Sequence, residues 1–160
     1  MGAIHRPEGS EDKMTIIVVA TEIEYELAKR RFKHKKIIQT GVGPLNTIHS
    51  LRKIPKWVKI INFGYAGSNN IPIGTEVSVG FSAGYHKNVQ YLEPAYVTDD
   101  TESDIWCYTS NDFVLQKPKT TQPCLFDMEL AYIMALGFKH VRSIKIVSDN
   151  LSLEQYEENT

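Results

Sequence analysis

The sequence has few cysteines and no long apolar run. Only Cys107 and Cys124 occur among the 160 residues, and they have neither the spacing of metal ligands nor the density of a disulfide scaffold. We therefore expect reduced thiols, no metal site and a cytoplasmic protein. No apolar stretch approaches the roughly 20 residues that a membrane-spanning helix needs. No secretory signal is predicted either, because the N-terminus lacks an apolar core segment.

The chain also lacks an excess of charge of either sign. Its 18 Lys and Arg residues against 19 Asp and Glu residues give a formal net charge of −1. This balance predicts no electrostatic footprint for nucleic acid or for an anionic membrane. A small molecule is therefore the expected partner.

The length and composition indicate one domain. A chain of 160 residues with 42% hydrophobic content supports one sizeable core and is too short for two ordinary domains. Residues 1–13 are polar and contain Pro7 and Gly9, so we expect a disordered leader or appended residues there. The domain is expected to span residues 14–160.

Short β-branched runs alternate with helical segments along most of the chain. Strands are predicted at 15–20, 36–40, 58–63, 76–81 and 143–148, and helices at 22–32, 44–53 and 127–136. This alternation indicates a single three-layer α/β/α domain with a largely parallel sheet. Residues 85–123 contain more turn formers, and further strands at 90–98 and 105–108 are expected to make the sheet mixed.

Ligands of such folds lie beyond the carboxyl ends of the strands. The segments that follow predicted strands are 21–24, 41–43, 64–67 and 149–150. Gly41-Val42-Gly43 has the start of a dinucleotide-binding fingerprint, but Asn46 occupies the third glycine position. A tight strand-to-helix turn explains both glycines, so no cofactor is expected.

Three carboxylates near these ends each have two interpretations. Glu24 follows Thr21 by three residues and could close a capping box, or it could take a proton from an attacking water. Glu129 could complement a helix dipole, and Asp149 could be a turn residue. If the three converged, they would suit a transition state with positive charge, such as the ribosyl cation of glycosidic cleavage.

Five short segments occur in an order that is more specific than any one of them. They are Gly41–Gly43, Asn62–Gly67, Ile73–Val77, Phe126–Glu129 and Ile146–Asp149. In this order they resemble the nucleoside phosphorylases and nucleosidases, most closely the 5′-methylthioadenosine/S-adenosylhomocysteine nucleosidases. The resemblance spans residues 15–156, and it implies that family's fold, N-ribosyl hydrolysis without a cofactor, and a homodimer.

The resemblance also implies catalytic roles. Asp149 would be the general acid that protonates purine N7, and Ser148 would orient it. Glu129 would hold the ribose hydroxyls and stabilise the developing cation. Glu24 would be the base that activates water.

The remaining matches imply contacts with the substrate. Phe113 would stack on the purine, while the backbone of Val114 would read the edge of the base. Met128 would lie against the sugar. Leu153 would line the pocket for the 5′ substituent.

Departures from the family pattern affect the choice of nucleophile. Tyr65, before Ala66 and Gly67, stands where the family commonly has serine or threonine, a position that contacts water in the hydrolases and phosphate in the phosphorylases. A bulky phenol narrows a phosphate pocket, and no arginine pair is placed to hold phosphate, so hydrolysis is favoured. Lys145 keeps the charge of the family's arginine but loses its planar fork.

The chain is also shorter than the family pattern. The hairpin after the first helix, the loop after Tyr85-His86 and most of the final helix are trimmed, and Lys87 replaces the usual acidic residue. We predict hydrolysis of a purine nucleoside, with adenine as the base and 5′-methylthioadenosine as one example. A purine nucleoside phosphorylase and a non-catalytic nucleoside-binding domain remain alternatives.

Overall fold

The computed structural model describes residues 14–86 and 94–160. The expected leader, Lys87 and the first part of the strand predicted at 90–98 lie outside these ranges. The strands within them are β1 (Thr15–Val19), β2 (Lys36–Gln39), β3 (Lys59–Ser68), β4 (Glu76–Ser78), β5 (Phe81–Gly84), β6 (Ala95–Val97), β7 (Trp106–Thr109), β8 (Cys124–Asp127) and β9 (Val141–Asp149). The helices are α1 (Glu22–Arg31), α2 (Pro44–Leu51), α3 (Leu130–Ala135) and α4 (Leu153–Asn159).

The nine strands form one mixed sheet, which confirms the predicted α/β domain. Strand β1 pairs in parallel with β2 and β3, and β3 pairs in parallel with β9. Strands β5, β7 and β8 are also parallel to each other. The antiparallel pairs are β3 with β8, β4 with β9, and β5 with β6.

Alternation along β1 places helices on both faces of the sheet. Ile16 and Val18 pack in a core cluster with Leu51 of α2 and with residues of α3. Ile17 and Val19 belong to a second cluster with Ala28 of α1. Because successive side chains of a strand point to opposite faces, the sheet lies between α1 and the α2–α3 layer.

Three predicted boundaries were wrong. The strand predicted at 76–81 is two strands, because the chain changes neighbours there. The Val79 N–H donates to the carbonyl oxygen of Ser143, and the Gly80 N–H donates to that of Ile105. A Cβ on Gly80 would lie 2.0 Å from the Ser103 oxygen, so this crossing needs glycine.

The other two corrections concern the candidate site. Residues 64–67, predicted to follow a strand, lie inside β3 because β9 and β8 extend the ladder alongside them. Asp127, predicted to begin a helix, ends strand β8, and α3 begins at Leu130. The Asp127 carboxylate accepts a hydrogen bond from the Leu130 N–H at 2.8 Å. Asp127 therefore caps the helix from outside it.

In the described ranges, every helix is too short or too polar to cross a membrane.

Candidate active site

A cavity of about 80 Å³ opens where several strands end. This volume is several times the roughly 10–15 Å³ that a single water molecule needs, so the cavity can admit a small organic ligand. Ten of the predicted site residues line it: Glu24, Tyr65, Ala66, Gly67, Phe113, Val114, Met128, Glu129, Ser148 and Asp149. Residues far apart in sequence therefore meet at one site.

Glu24 makes the contacts of a capping box and also lines the cavity. Its Oε1 accepts from the N–H groups of Ala20 at 2.9 Å and Thr21 at 3.1 Å, and Oε2 accepts from the Tyr65 N–H at 2.8 Å. The Glu24 N–H donates to the Thr21 hydroxyl at 3.3 Å. A carboxylate has about four acceptor positions. Three are occupied, which leaves one on Oε2 for a further donor such as water.

Gly64 makes room for this carboxylate. A Cβ at position 64 would lie 2.4 Å from Oε2 of Glu24, which is closer than nonbonded atoms approach. Any other residue at this position would displace the Glu24 side chain or the strand. Position 64 must therefore be glycine if Glu24, the candidate base, is to keep its position.

Asp149 is held at the end of β9 by its neighbours. Its Oδ1 accepts from the Ser148 hydroxyl at 2.7 Å, and its Oδ2 accepts from the Leu151 N–H at 3.0 Å. Leu151 has a φ of 64°, a conformation that non-glycine residues seldom adopt. Asp149 is 2% exposed. Asp149 therefore acts as a turn residue through Leu151 and is also held by Ser148, so both expected contacts are present.

Glu129 is the carboxylate with the most altered ionisation. Its pKa is raised to about 8, first by burial and then by the charge of Asp127, while Lys145 and the Gly43 N–H act in the opposite direction. The Gly43 N–H donates to Oε2 of Glu129 at 3.2 Å. Although Glu129 occupies the N-cap position of α3, its side chain makes no capping hydrogen bond. It is therefore directed to the cavity and away from the helix end.

Lys145 and Asp127 form a buried ion pair beside Glu129. Their side chains are 2% and 1% exposed, and Lys145 Nζ lies 3.0 Å from Asp127 Oδ2. Burial alone lowers the pKa of Lys145, but the carboxylate of Asp127 raises it above its ordinary value. The lysine thus carries a charge in the interior, where the family pattern has an arginine.

The aromatic side of the cavity includes a residue that the sequence analysis missed. Tyr156 of α4 lines the cavity, and its ring meets that of Phe113 edge to face at 4.7 Å. Burial raises the pKa of Tyr156, and the charge of Glu24 adds to the increase. The signal available in the sequence was Ser152, a preferred N-cap residue, which indicates that a helix begins at Leu153.

Leu153 is the predicted site residue that the structure leaves out of the cavity wall. It is 45% exposed at the first position of α4, and Tyr156, three residues further along, lines the cavity instead. The helix therefore reaches the cavity with its second turn. Its first turn lies outside.

His86 lies apart from the three carboxylates. It borders a separate cleft of about 300 Å³ that Tyr96 and Ala135 also line. Within residues 14–86 and 94–160, no three side chains of His, Cys, Asp or Glu are grouped to bind a metal ion.

Comparison with solved structures identifies the fold. No protein-family model matches the chain, and no curated protein sequence does. Among solved structures, the 5′-methylthioadenosine/S-adenosylhomocysteine nucleosidase of Neisseria meningitidis, in complex with methylthio-immucillin-A, is similar with a TM-score of 0.73 and 16% identity, covering 92% of this chain and 91% of that one.

Two further structures give the same result. The S-adenosylhomocysteine nucleosidase of Streptococcus pyogenes, with 5-methylthiotubericidin, has a TM-score of 0.69 and 18% identity over 91% of this chain and 89% of that one. The futalosine hydrolase of Helicobacter pylori has a TM-score of 0.71 and 12% identity over the same shares, 91% and 89%. The fold that the sequence motifs predicted is thus confirmed, and this protein shares it with the nucleoside phosphorylase/nucleosidase family.

Proposed function

We propose that the protein hydrolyses the N-glycosidic bond of a purine nucleoside in this cavity, with adenine as the base and 5′-methylthioadenosine as a candidate substrate. The observation that carries the proposal is the convergence of Glu24, Glu129 and Asp149 on one cavity that also has an aromatic wall. The similar nucleosidase from N. meningitidis binds methylthio-immucillin-A, which supports the substrate class.

Asp149 is the proposed general acid. A proton on this carboxyl passes to N7 of the purine as the glycosidic bond breaks, so the bonding electrons leave with a neutral base. Ser148 and the Leu151 N–H hold the carboxyl in place through the hydrogen bonds at 2.7 and 3.0 Å. A fixed donor of this kind stabilises the leaving group in the transition state.

Glu129 and Glu24 complete the reaction. Glu129 accepts hydrogen bonds from the ribose hydroxyls and faces the positive charge that develops on the sugar. A water bound at the remaining acceptor position of Glu24 attacks C1′ and gives its proton to Oε2. The products are the free base and the free sugar, and no cofactor takes part.

Hydrolysis is favoured over phosphorolysis by the charges around the cavity. Among the described residues that line it, five are acidic and none is arginine or lysine: the acids are Glu24, Asp112, Asp127, Glu129 and Asp149. A phosphate dianion would meet repulsion there without a cation to bind it. Tyr65 also lines the wall, and its ring reduces the space that a phosphate needs.

We also propose that the protein is a homodimer. Helix α2 begins beside the cavity and exposes Leu45 at 82% and Ile48 at 40%, next to Val42 at 44%. Leu45 and Ile48 are three residues apart and share one face of α2, and Val42 lies just before the helix. A second copy of the chain would cover this face and lie close to the cavity.

The direct test is adenine release from 5′-methylthioadenosine with and without phosphate. We expect equal rates in both, and a loss of about 10²–10⁴-fold in Asp149→Asn, as is typical when a catalytic acid is removed. Strict dependence on phosphate would assign a phosphorylase instead. Binding in a calorimetric titration without turnover would assign a nucleoside-binding domain.

A further inference from the structure

Lys145 is a buried charge that the proposed mechanism does not use. It lies in the middle of β9, its side chain is 2% exposed, and its Nζ contacts Asp127 at 3.0 Å. A buried ion pair adds little to stability, since apolar residues of similar volume often replace such pairs without loss. The Asp127–Lys145 pair therefore requires an explanation other than folding.

The pair is connected to the start of helix α3. Asp127 Oδ2 accepts from the Leu130 N–H at 2.8 Å, and Oδ1 accepts from the Thr109 hydroxyl at 2.6 Å. The Thr109 oxygen in turn accepts from the Ala131 N–H at 2.9 Å. These contacts bind two free N–H groups of α3. Since Glu129 immediately precedes the helix, they also fix the direction of its side chain.

Several other groups influence the charge of Glu129. They are Asp127 of β8, Lys145 of β9, Glu24 of α1 and the Gly43 N–H before α2, and the charge of Glu129 in turn raises the pKa of Cys107 of β7 and of Tyr156 of α4. Lys145 is the cation among them. Burial and the charge of Asp127 raise the pKa of Glu129, whereas Lys145 opposes the increase, and the net result is a pKa of about 8.

We propose that Asp127 positions Glu129 and holds Lys145 beside it, and that Lys145 supplies the counter-charge with which Glu129 binds ribose as a carboxylate. The ribose step rests on the function proposed above. An ionised Glu129 accepts hydrogen bonds from both ribose hydroxyls and attracts the developing cation. A protonated Glu129 has one fewer acceptor position and no charge. Asp127 and Lys145 are positioning residues, because they act on the substrate through Glu129.

The inference is tested in the ligand-free protein. The titration of Glu129 is followed by NMR with ¹³C-labelled glutamate, and Glu129→Gln identifies its signal. In Asp127→Asn we expect the midpoint to fall by about one pH unit or more, because a repelling carboxylate is removed while Lys145 stays. In the double variant Asp127→Asn/Lys145→Met the midpoint should rise again, because the cation is removed as well.

Lys145→Arg is the conservative variant and should keep the wild-type midpoint. Asp127→Asn and the double variant avoid an unpaired buried carboxylate, and the dispersion of their NMR spectra verifies that they are folded. An unchanged Glu129 midpoint in both would overturn the inference. A midpoint that fell equally in both would also overturn it, because Lys145 would then have no influence.

The pH profile of kcat/KM for adenine release separates this inference from the proposed function. If Glu129 must be ionised, kcat/KM rises with pH through its midpoint, and in Asp127→Asn this rise moves to lower pH. Shifts of the NMR midpoint in a protein that releases no base would support the pair and overturn hydrolysis. Base release with a pH profile that is unchanged in both variants would support hydrolysis and overturn the inference.

Discussion

The carboxylate of Glu24 has a structural contact at one oxygen and a cavity-facing contact at the other. Its Oε1 accepts both N–H groups of the helix entry, and its Oε2 accepts the Tyr65 N–H and keeps one position open. The capping contact was predictable because it joins residues three apart. The Tyr65 contact joins residues 41 apart, and no local pattern encodes such a distance. The two interpretations of Glu24 are therefore compatible.

Gly64→Ala tests whether the position of this carboxylate matters. The added Cβ would lie 2.4 Å from Oε2 of Glu24, so the flexible side chain must move and lose its contact with the Tyr65 N–H. We expect kcat for base release to fall by roughly 10²-fold, within the range for loss of a general base. The melting temperature should fall as well, because the Tyr65 N–H loses its acceptor. Steady-state kinetics and thermal unfolding provide the measurements.

Glu24→Gln is the matched variant for this prediction. If Gly64→Ala acts through Glu24, the double variant should be no slower than Glu24→Gln alone, because residues that act as a unit are not additive. Losses that multiply in the double variant would instead assign the effect of Gly64 to the strand.

Strands and helices were predictable from the sequence where a local pattern of residues determines them. The buried runs of β1 and β9 were identified because β-branched residues dominate them. Strand β8 was not predicted, and its last residue, Asp127, was assigned to the start of a helix. The strand character of this segment comes from pairing with β7 and β3, which is tertiary information. The placement of Tyr156 in the cavity wall likewise depends on how α4 docks against β9.

Helix α2 carries the prediction at this scale, which concerns the proposed homodimer. Replacing Leu45, which is 82% exposed, by glutamate puts charge at the centre of its apolar face and should shift the protein to monomers. Light scattering across a concentration series gives the mass. Ile23→Glu is the control, because Ile23 is 49% exposed on α1, at the opposite face of the sheet. A wild-type monomer, or equal dissociation of both variants, would contradict the prediction.

The whole molecule concentrates buried carboxylates at one end of its sheet. Glu24, Asp127, Glu129 and Asp149 are each less than 9% exposed, and Lys145 is the buried cation beside Asp127. A fold selected for stability alone would not group them, because burying like charges costs free energy. The sequence predicted the convergence of three of these carboxylates through the resemblance. It did not predict the ion pair, whose members come from different strands.

The free-energy cost of burying the Glu129 carboxylate should depend on pH in a measurable way. Its folded pKa of about 8 lies above the ordinary value of 4.5, so the folded state binds a proton more tightly than the unfolded state. The stabilising effect of that proton is complete below pH 4.5 and is lost as the pH rises through 8. A side chain that cannot ionise loses nothing over this range. Glu129→Gln should therefore match the wild type near pH 4.5 and be more stable above pH 8, by up to about 5 kcal/mol.

Chemical denaturation at pH 5, 7 and 9 measures the difference in free energy of unfolding between Glu129→Gln and the wild type. Other titrating groups largely cancel because both proteins contain them. The glutamine oxygen can still accept the Gly43 N–H, so the contact at 3.2 Å is retained. A difference that stays constant with pH would show that Glu129 does not titrate in this range. A gain in stability at pH 9 that accompanies a loss of base release would show that the site holds its carboxylate at the expense of the fold.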